Sequence, residues 1–265
     1  MAKRATRKSA KRLARETFES GDYNGGNIHP LFNADEWSPV EESYGKKRGP
    51  EKHEQRDQKY RKNIKAQNES QQQFMDALDD HSLVIASGPA GTGKTYVAVA
   101  KAVEALEQGH VSRIVLSRPA VEAGESLGFL PGDMEEKLSP YLRPLFDALS
   151  DRLSTKRLKT LMAENIIEIA PIAYMRGRTL NNAYVVIDEA QNCTYVQLKM
   201  LLTRLGWHST MVITGDPQQS DLLPGISGLD DIATKLDQLD NVKVINFKDK
   251  DVVRHPLVAE MLGVL

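Results

Sequence analysis

The chain has 265 residues, of which 40% are hydrophobic and 27% are charged, a balance typical of globular proteins. No apolar run approaches the ~20 residues that a membrane-spanning helix needs, and the basic N-terminus lacks the apolar stretch of a secretory signal. A single cysteine, Cys193, excludes an internal disulfide framework. We therefore expect a cytoplasmic protein without a membrane partner.

The net charge of −1 hides an asymmetry between two parts of the chain. Residues 1–65 hold 16 basic and 10 acidic side chains, whereas residues 66–265 hold 19 and 26. The first part is also poor in branched apolar residues, so it cannot bury enough apolar surface to offset its ordering entropy. We predict a largely extended or disordered basic arm over 1–65 and one folded domain over 66–265. The arm either contacts a polyanion or is a solvated tail without a role, and the sequence favours neither interpretation.

A short amphipathic helix carrying Phe74 and Leu78 is predicted to precede the first strand. Just before its apolar face lie Asn68 and Gln71. A glutamine amide is donor and acceptor at once, so it can hydrogen-bond both edges of an adenine ring. Gln71 is therefore a candidate base reader with Asn68 assisting it, and two ordinary solvated side chains are the alternative.

The sequence Gly-Pro-Ala-Gly-Thr-Gly-Lys-Thr at 88–95 fits the phosphate-binding P-loop. An apolar run comes just before it and an amphipathic helical pattern just after it, which is the strand–loop–helix context that the motif requires. Its glycines allow positive φ angles that turn backbone N–H groups toward phosphate oxygens. The sequence predicts that Lys94 reaches the β- and γ-phosphates of ATP and assists catalysis, and that the Thr95 hydroxyl binds Mg²⁺. The predicted nucleotide-binding residues of this stretch are Gly88, Pro89, Ala90, Gly91, Thr92, Gly93, Lys94, Thr95 and Tyr96.

Arginines follow two further predicted strands. The strand after the P-loop helix ends at Arg118, and loops at the carboxyl ends of parallel strands line the ligand crevice. Arg118 and Glu125 are therefore placed to act on the nucleotide or on a second ligand. Residues 166–170 form another predicted strand, which Arg176 and Arg178 follow. This pair could hold phosphate, from ATP or from a nucleic-acid backbone, and an ion-paired surface turn is the alternative.

A fully apolar stretch over 184–187 ends in two acids, Asp188 and Glu189. This is the Walker B pattern, in which a buried strand delivers an aspartate to the Mg²⁺ coordination shell. The following glutamate lies beside the γ-phosphate, where it can polarise a water for in-line attack. We therefore assign Asp188 to the metal and Glu189 to catalysis.

Polar residues also follow the next predicted strand, which ends at Thr214. A polar cluster on the strand beside Walker B is the usual place for a γ-phosphate sensor. Gln218 is the preferred catalytic sensor, with Asp216 and Thr214 as supports and Gln219 as the adjacent alternative.

Alternation of strands and helices predicts an α/β fold of the RecA-like P-loop type, with a parallel sheet and helices on both of its faces. Beside the strand predicted over 166–170, five strands are convincing, and numbered along the chain they take the order 5-1-4-3-2. Their ranges are 83–87, 112–118, 183–188, 209–214 and 242–246.

Only one such domain fits the chain, and a motor of this type works across an interface that contains the nucleotide. Arg254 lies far along the chain and can complete the site in cis or reach a neighbour's ATP as an arginine finger. A capping salt bridge is the alternative for Arg254. The single domain and Arg254 together motivate a homo-oligomer, with a hexameric ring favoured.

With these motifs laid out, the chain resembles the PhoH family of P-loop ATPases over most of 66–265. The resemblance includes the run Ser-Arg-Pro-Ala-Val-Glu-Ala-Gly-Glu at 117–125 and Asp-Glu-Ala-Gln-Asn at 188–192. The other matching stretches are 88–95, 127–133, 141–145, 174–181, 214–216 and 251–256.

The resemblance implies an ATP-binding and ATP-hydrolysing cytoplasmic protein, similar to a superfamily 1 helicase core cut to one RecA-like domain. The family's name refers to phosphate starvation, and some members carry RNA-binding or nuclease domains, which points to RNA metabolism. Residues 1–65 of this chain match neither of these additional domains.

Two functions from different classes remain open. The first is an ATPase that remodels or unwinds single-stranded nucleic acid, with RNA favoured. The second is an ATP-dependent switch that regulates a protein partner without moving along nucleic acid. A small-molecule kinase is disfavoured, because Glu189 suits attack by water and no substrate lid is apparent.

Overall fold

In this computed structural model, the description covers residues 64–119 and 134–253, and only the backbone of residues 134–140. The predicted arm lies outside the described residues apart from its last two positions. Glu125 and Arg254 also lie outside them.

Six strands form one sheet in which every neighbouring pair is parallel. The order across the sheet is β3-β2-β4-β5-β1-β6. The strands are β1 Leu83–Ser87, β2 Arg113–Arg118, β3 Ile167–Pro171, β4 Ala183–Ile187, β5 Thr210–Gly215 and β6 Val242–Asn246.

The predicted order of five strands is confirmed, since β6, β1, β5, β4 and β2 follow one another as expected. The strand predicted over 166–170 is also present as β3, and it widens the sheet by one strand because it pairs with the outer edge of β2. Strand β5 separates the P-loop strand β1 from the Walker B strand β4, which is the arrangement expected of the RecA-like class. All six strands run the same way, so the residues that follow them meet along one edge of the sheet.

Helices cover both faces of this sheet, as predicted. Strands β1 and β4 are buried at every position, and a parallel strand can be buried in this way only when both faces are covered. The helices are α1 Glu69–Asp80, α2 Lys94–Glu107, α3 Met134–Ser150, α4 Thr155–Ala163, α5 Tyr195–Leu202 and α6 Leu229–Leu236. In the described part of the chain, none of them combines the length and apolarity needed to cross a membrane.

Local sequence sets where the helices near the P-loop begin and how they pack. Asn68 caps α1 by accepting a hydrogen bond from the backbone N–H of Gln71. Helix α2 begins directly after Gly93, whose φ of 83° lies in the left-handed region. Its buried side chains, which include Val97 and Val103, pack on β2, β4 and β5. The amino end of α2 is thereby fixed at the carboxyl edge of the sheet.

Candidate nucleotide-binding site

The loop between β1 and α2 adopts the conformation that its glycines permit. Gly88, Gly91 and Gly93 have φ values of 137°, 83° and 83°. At Gly88 a side chain is also excluded by space, since an added Cβ would lie 2.4 Å from the carbonyl oxygen of Phe247. The chain therefore needs glycine at position 88 both for backbone conformation and for packing against the residue that follows β6.

The ammonium group of Lys94 lies against this loop. Its Nζ donates hydrogen bonds to the carbonyl oxygens of Gly88 and Pro89, at 2.6 and 2.8 Å. Burial lowers the pKa of Lys94, and the nearby carboxylates of Asp216, Glu189 and Asp188 act in the opposite direction. A cation is thus held where the loop meets three acidic side chains.

Asp188 joins the two motifs that the sequence assigned to the metal. Its side chain is almost completely buried, and Oδ1 accepts hydrogen bonds from the hydroxyl groups of Thr95 (2.6 Å) and Thr214 (2.7 Å). One hydroxyl and one carboxylate on facing elements are oxygen ligands of the kind that Mg²⁺ prefers. Among the described residues, no group of three or more His, Cys, Asp or Glu could hold a metal. The Thr95 hydroxyl and the Asp188 carboxylate fit Mg²⁺, which proteins usually bind through one or two carboxylates together with substrate phosphates and water.

Glu189 follows the Walker B strand in an unusual backbone conformation. Its φ and ψ are 52° and 42°, in the left-handed region that non-glycine residues seldom occupy. Two side chains hold its carboxylate: the Gln191 amide donates to Oε2, and the Arg118 guanidinium lies 3.4 Å from Oε1. The same guanidinium lies 3.6 Å from Oδ2 of Asp188. Arg118, which the sequence placed near a ligand without a fixed role, therefore contacts both Walker B acids.

Gln191 is a buried residue of this site that the sequence analysis missed. Its Nε2 also donates to the carbonyl oxygen of Gln219 (3.3 Å), and its Oε1 accepts from the backbone N–H of Asp216 (3.0 Å). The side chain thus ties the turn after β4 to the turn after β5. The sequence signal for it is a glutamine two positions after Glu189, within the family-matching run at 188–192.

The turn after β5 carries both candidates for the γ-phosphate sensor, Gln218 and Gln219. Asp216 accepts from the backbone N–H groups of Ala90 (3.1 Å) and Gln218 (3.1 Å), so it links this turn to the P-loop. Both Gln218 and Gln219 are exposed on the short 3-10 turn Pro217–Gln219 that Asp216 caps, but only Gln219 lines the cleft. The geometry therefore favours the alternative residue, Gln219, over Gln218.

A cleft of about 280 Å³ lies between the P-loop and the two turns. It contains Lys94, Thr95, Asp188 and Glu189 together, as the sequence predicted. Its lining residues are Ala90, Gly91, Gly93, Lys94, Thr95, Tyr96, Asp188, Glu189, Gly215, Asp216 and Gln219.

The two predicted base readers have partners within the chain. Gln71 is buried, donates from Nε2 to the carbonyl oxygen of Thr92 (2.9 Å) and accepts at Oε1 from the backbone N–H of Gln67 (2.9 Å). Asn68 caps α1 and donates to the carbonyl oxygen of Asp251 (3.0 Å). Neither residue lines the cleft, so both support the P-loop in this structure and their contact with adenine stays a prediction.

The structure separates the two predicted phosphate-binding arginines from the cleft. Arg178 forms a bidentate ion pair with Glu168 of β3, at 2.6 and 2.7 Å, and these hydrogen bonds raise its pKa. The ion-paired turn that was the alternative is therefore what the structure shows at Arg178. Arg176 is exposed and lines a different groove. Contact of either arginine with phosphate of the nucleotide is not supported by this arrangement.

The last described residues come back to the P-loop. The backbone N–H of Val253 donates to the carbonyl oxygen of Gly91 (2.9 Å). Asp251 is buried and accepts from the hydroxyl of Ser70 and the backbone N–H of Lys248, both at 2.9 Å. Arg254 itself lies outside the described residues. The residue before it, Val253, is bonded to Gly91, which lines the cleft.

Comparison with known proteins agrees with the motifs. The sequence matches the family model described as "PhoH-like protein" over residues 63–265. A PhoH-like protein of Bacillus subtilis is 56% identical over 76% of this chain and 63% of its own length. For a PhoH-like protein of Mycobacterium tuberculosis the identity is 52%, over 76% of this chain and 57% of that protein. Protein PhoH of Escherichia coli is 45% identical over 75% and 57%.

The chain therefore spans about three-fifths of the length of these relatives. Among solved structures, the large terminase of a thermophilic bacteriophage is similar over 74% of this chain and 49% of that one. The identity is 14% and the TM-score 0.46, a likeness too low to carry a conclusion about function.

Proposed function

Because this chain belongs to the PhoH-like protein family, we propose that its cleft binds ATP with Mg²⁺ and hydrolyses it. One observation carries the proposal: the Thr95 hydroxyl and the Asp188 carboxylate are 2.6 Å apart, with Glu189 as the next residue at the same cleft. A hydroxyl, an aspartate and an adjacent glutamate at a P-loop are the groups that metal binding and attack by water on a γ-phosphate require.

Each residue has a distinct part in the proposed reaction. The loop N–H groups and Lys94 bind the phosphates, and Thr95 and Asp188 hold Mg²⁺, which when bound stabilises charge on the phosphoryl oxygens. Glu189 orients a water molecule and accepts its proton as the water oxygen attacks the γ-phosphorus. The bond from the γ-phosphorus to the β–γ bridging oxygen breaks in the same displacement, and ADP and phosphate leave. Gln219, tied to Glu189 through Gln191, is the proposed sensor of the γ-phosphate.

The proposed use of hydrolysis is remodelling or unwinding of single-stranded nucleic acid, with RNA favoured. The resemblance to a helicase core, the basic arm at 1–65 and the exposed Arg176 support this assignment. The alternative, an ATP-dependent switch for a protein partner, is favoured by the acidic balance of residues 66–265, since phosphate contacts dominate affinity for nucleic acids.

ATP turnover measured with RNA, with DNA and without polymer tests the proposal. We expect hydrolysis that depends on Lys94 and Mg²⁺ and increases with single-stranded RNA. Basal hydrolysis that no nucleic acid changes would reject the remodelling function and leave the switch. Absence of ATP hydrolysis under all three conditions would reject the enzyme assignment.

A homo-oligomer, with a hexameric ring favoured, is proposed because one RecA-like domain supplies one face of a motor-type site. Light scattering of the full chain with and without ATP tests it, and a strict monomer in both conditions contradicts it. Mixing Arg254→Ala with Glu189→Gln tests whether Arg254 acts on a neighbouring subunit. Recovery of turnover in mixed rings indicates action in trans, and no recovery indicates action in cis.

A further inference from the structure

A pocket of about 870 Å³ opens at the edge of the sheet opposite the nucleotide cleft. Its lining includes Ser82, Val111 and Ser209, which come shortly before strands β1, β2 and β5. The cleft, in contrast, lies where these parallel strands end. No residue that lines the pocket is therefore one of those proposed to bind or hydrolyse ATP.

Trp207 forms an exposed aromatic part of this pocket, with 81% of the residue accessible to solvent. Its backbone is fixed on both sides, since the N–H donates to Oδ1 of Asn181 (2.9 Å) and the carbonyl oxygen accepts from the N–H of Asn182 (2.9 Å). A large aromatic side chain that is exposed on a fixed backbone is typical of residues that anchor a binding partner. The face of an indole ring also attracts cations.

The charged side chains of the pocket favour a cation as well. The carboxylates of Asp79 and Glu104 share the ammonium group of Lys101, whose Nζ lies 2.7 and 3.1 Å from their oxygens. The side chain of Asp79 is 59% exposed, so part of this carboxylate stays open to a ligand. With the histidines of the lining counted as neutral, Lys101 leaves one negative charge uncompensated, and the pocket suits a positively charged group.

Tyr184 lies at the buried side of the pocket, with 3% of the residue exposed. No described residue hydrogen-bonds its hydroxyl group, and a buried hydroxyl without a partner destabilises a fold. Burial raises the pKa of Tyr184, and the carboxylates of Asp79 and Glu104 raise it further, so the hydroxyl is directed toward the acidic side of the pocket. A ligand that donates a hydrogen bond there would satisfy the hydroxyl oxygen.

Arginine combines the properties that these three features select. Its planar guanidinium group stacks on aromatic rings and donates several N–H groups to carboxylate or hydroxyl oxygens. Residues 1–15 of this chain contain seven basic residues and no acidic one. The arginines among them are Arg4, Arg7, Arg12 and Arg15.

The chain is long enough to bring this segment to the pocket. The description begins at Ile64, just before α1, and the pocket includes Leu78 and Asp79 near the end of the same helix. The 12 residues of α1 span about 18 Å, which ~6 residues of extended chain can cover. Residues 16–63 provide a much longer connection, so a contact within one chain requires no particular path.

We propose that arginine side chains of residues 1–15 bind in this pocket of the same chain, between the Trp207 ring and the Asp79 carboxylate, with a guanidinium N–H donated to the Tyr184 hydroxyl. The bound segment is withheld from nucleic acid, so a polyanion has to compete with the pocket for it. The charge balance agrees with this docking, because residues 1–65 carry an excess of basic side chains and residues 66–265 an excess of acidic ones. The docking does not depend on the proposed ATP hydrolysis.

Fluorescence of Trp207 tests the docking in the full chain. The chain contains two tryptophans, so Trp37→Phe leaves Trp207 as the only one. We expect Trp207 to be protected from quenching by acrylamide and to lose this protection when the four arginines of residues 1–15 are replaced by glutamine. The matched control removes four charges from another part of the arm and should keep the protection. Its changes are Arg48→Gln, Arg56→Gln, Arg61→Gln and Lys62→Gln.

Three results of this experiment would contradict the proposal. Equal quenching in all three proteins would show that residues 1–15 do not cover Trp207. Loss of protection in the control as well would show that the pocket does not select these residues. Protection that disappears on dilution of the protein would show that the bound segment comes from a second copy of the chain.

Binding of a labelled peptide of residues 1–15 tests the pocket itself. The acceptor is the full chain with the four arginines replaced, and fluorescence anisotropy gives the dissociation constant. We expect Trp207→Ala to raise this constant about three- to 30-fold, Tyr184→Phe about threefold or more, and Asp79→Asn about two- to fivefold. Asp76→Asn is the control for Asp79, since Asp76 is exposed on the same helix and does not line the pocket. Melting temperatures show whether each variant is folded.

The outcomes separate the docking from the proposed function. A dissociation constant that is unchanged in folded Trp207→Ala and Tyr184→Phe would place the peptide elsewhere and overturn the proposal. Protection of Trp207 in a protein that does not turn over ATP would reject the enzyme assignment alone. Turnover of ATP by a protein whose Trp207 is unprotected would reject the docking alone.

Discussion

The hydroxyl of Thr95 donates a 2.6 Å hydrogen bond to Oδ1 of Asp188, although 93 positions separate the two residues in sequence. The contact exists because α2 begins at the carboxyl end of β1 while Asp188 follows β4, two strands away in the sheet. Thr214, at the end of the intervening strand β5, donates to the same oxygen. Residues at the carboxyl ends of three parallel strands thus hold the Asp188 carboxylate in a fixed orientation against the P-loop.

Removal of the Thr95 hydroxyl should weaken the binding of Mg²⁺ that ATP turnover requires. We expect Thr95→Ala to raise the Mg²⁺ concentration needed for half-maximal ATP turnover by about 10- to 100-fold. Thr95→Ser keeps the hydroxyl and is the matched control, which should stay near the wild type. A magnesium titration of Thr95→Ala that coincides with that of Thr95→Ser would contradict the proposed role.

Variants at Glu189 and at Lys94 should affect ATP turnover and ATP binding differently. Glu189→Gln keeps the size of the side chain but not its basicity, so turnover should fall about 10²- to 10⁴-fold while ATP still binds. Lys94→Ala removes the cation from the loop and should abolish tight binding. Equilibrium binding of a fluorescent ATP analogue, measured alongside turnover, checks both variants. Normal hydrolysis by Glu189→Gln would show that another group positions the water.

The two glutamines after β5 give a direct test of the sensor. Gln219 lines the cleft and its carbonyl oxygen accepts from Gln191, whereas Gln218 is not among the residues that line the cleft. We expect Gln219→Ala to lower kcat at least about tenfold with little change in ATP affinity. Gln218→Ala is the neighbouring control and should behave like the wild type. Reversed effects would restore the assignment that the sequence alone favoured.

The sequence was sufficient for the parts of the site that depend on local pattern. The P-loop and the Walker B acids sit at the ends of apolar strands, and parallel strand direction then requires them to meet at one edge. The order of the five predicted strands followed from the same class assignment. These are features that periodicity and motif spacing encode directly.

The remaining features depend on side-chain direction across elements, which no local pattern records. Gln191 joins two turns only because β4 and β5 are adjacent. Arg178 meets Glu168 because the chain turns back after β3, so an arginine predicted to bind phosphate is occupied by a carboxylate. The choice between Gln218 and Gln219 depends on a 3-10 turn of three residues, which is below the resolution of sequence patterns.

Asp251 should make the stability of the domain depend on pH. Hydrogen bonds from the Lys248 backbone and the Ser70 hydroxyl lower the pKa of its carboxyl group in the folded chain, against the opposing effect of burial. A lowered folded pKa stabilises the fold fully above the unfolded value of about 3.9. That contribution is lost as the pH falls through the folded pKa.

We therefore expect Asp251→Asn to lower the free energy of unfolding at neutral pH, with a difference from the wild type that shrinks below about pH 4. Urea unfolding from pH 3 to pH 8 measures this difference. Asp249→Asn is the control, since Asp249 begins the same short turn and is exposed. If the difference between wild type and Asp251→Asn stayed constant down to pH 3, the variant would act through packing and not through the charge. In that case the link from Asp251 to α1 would not depend on ionisation, although the bond from Val253 to Gly91 would still hold this segment against the P-loop.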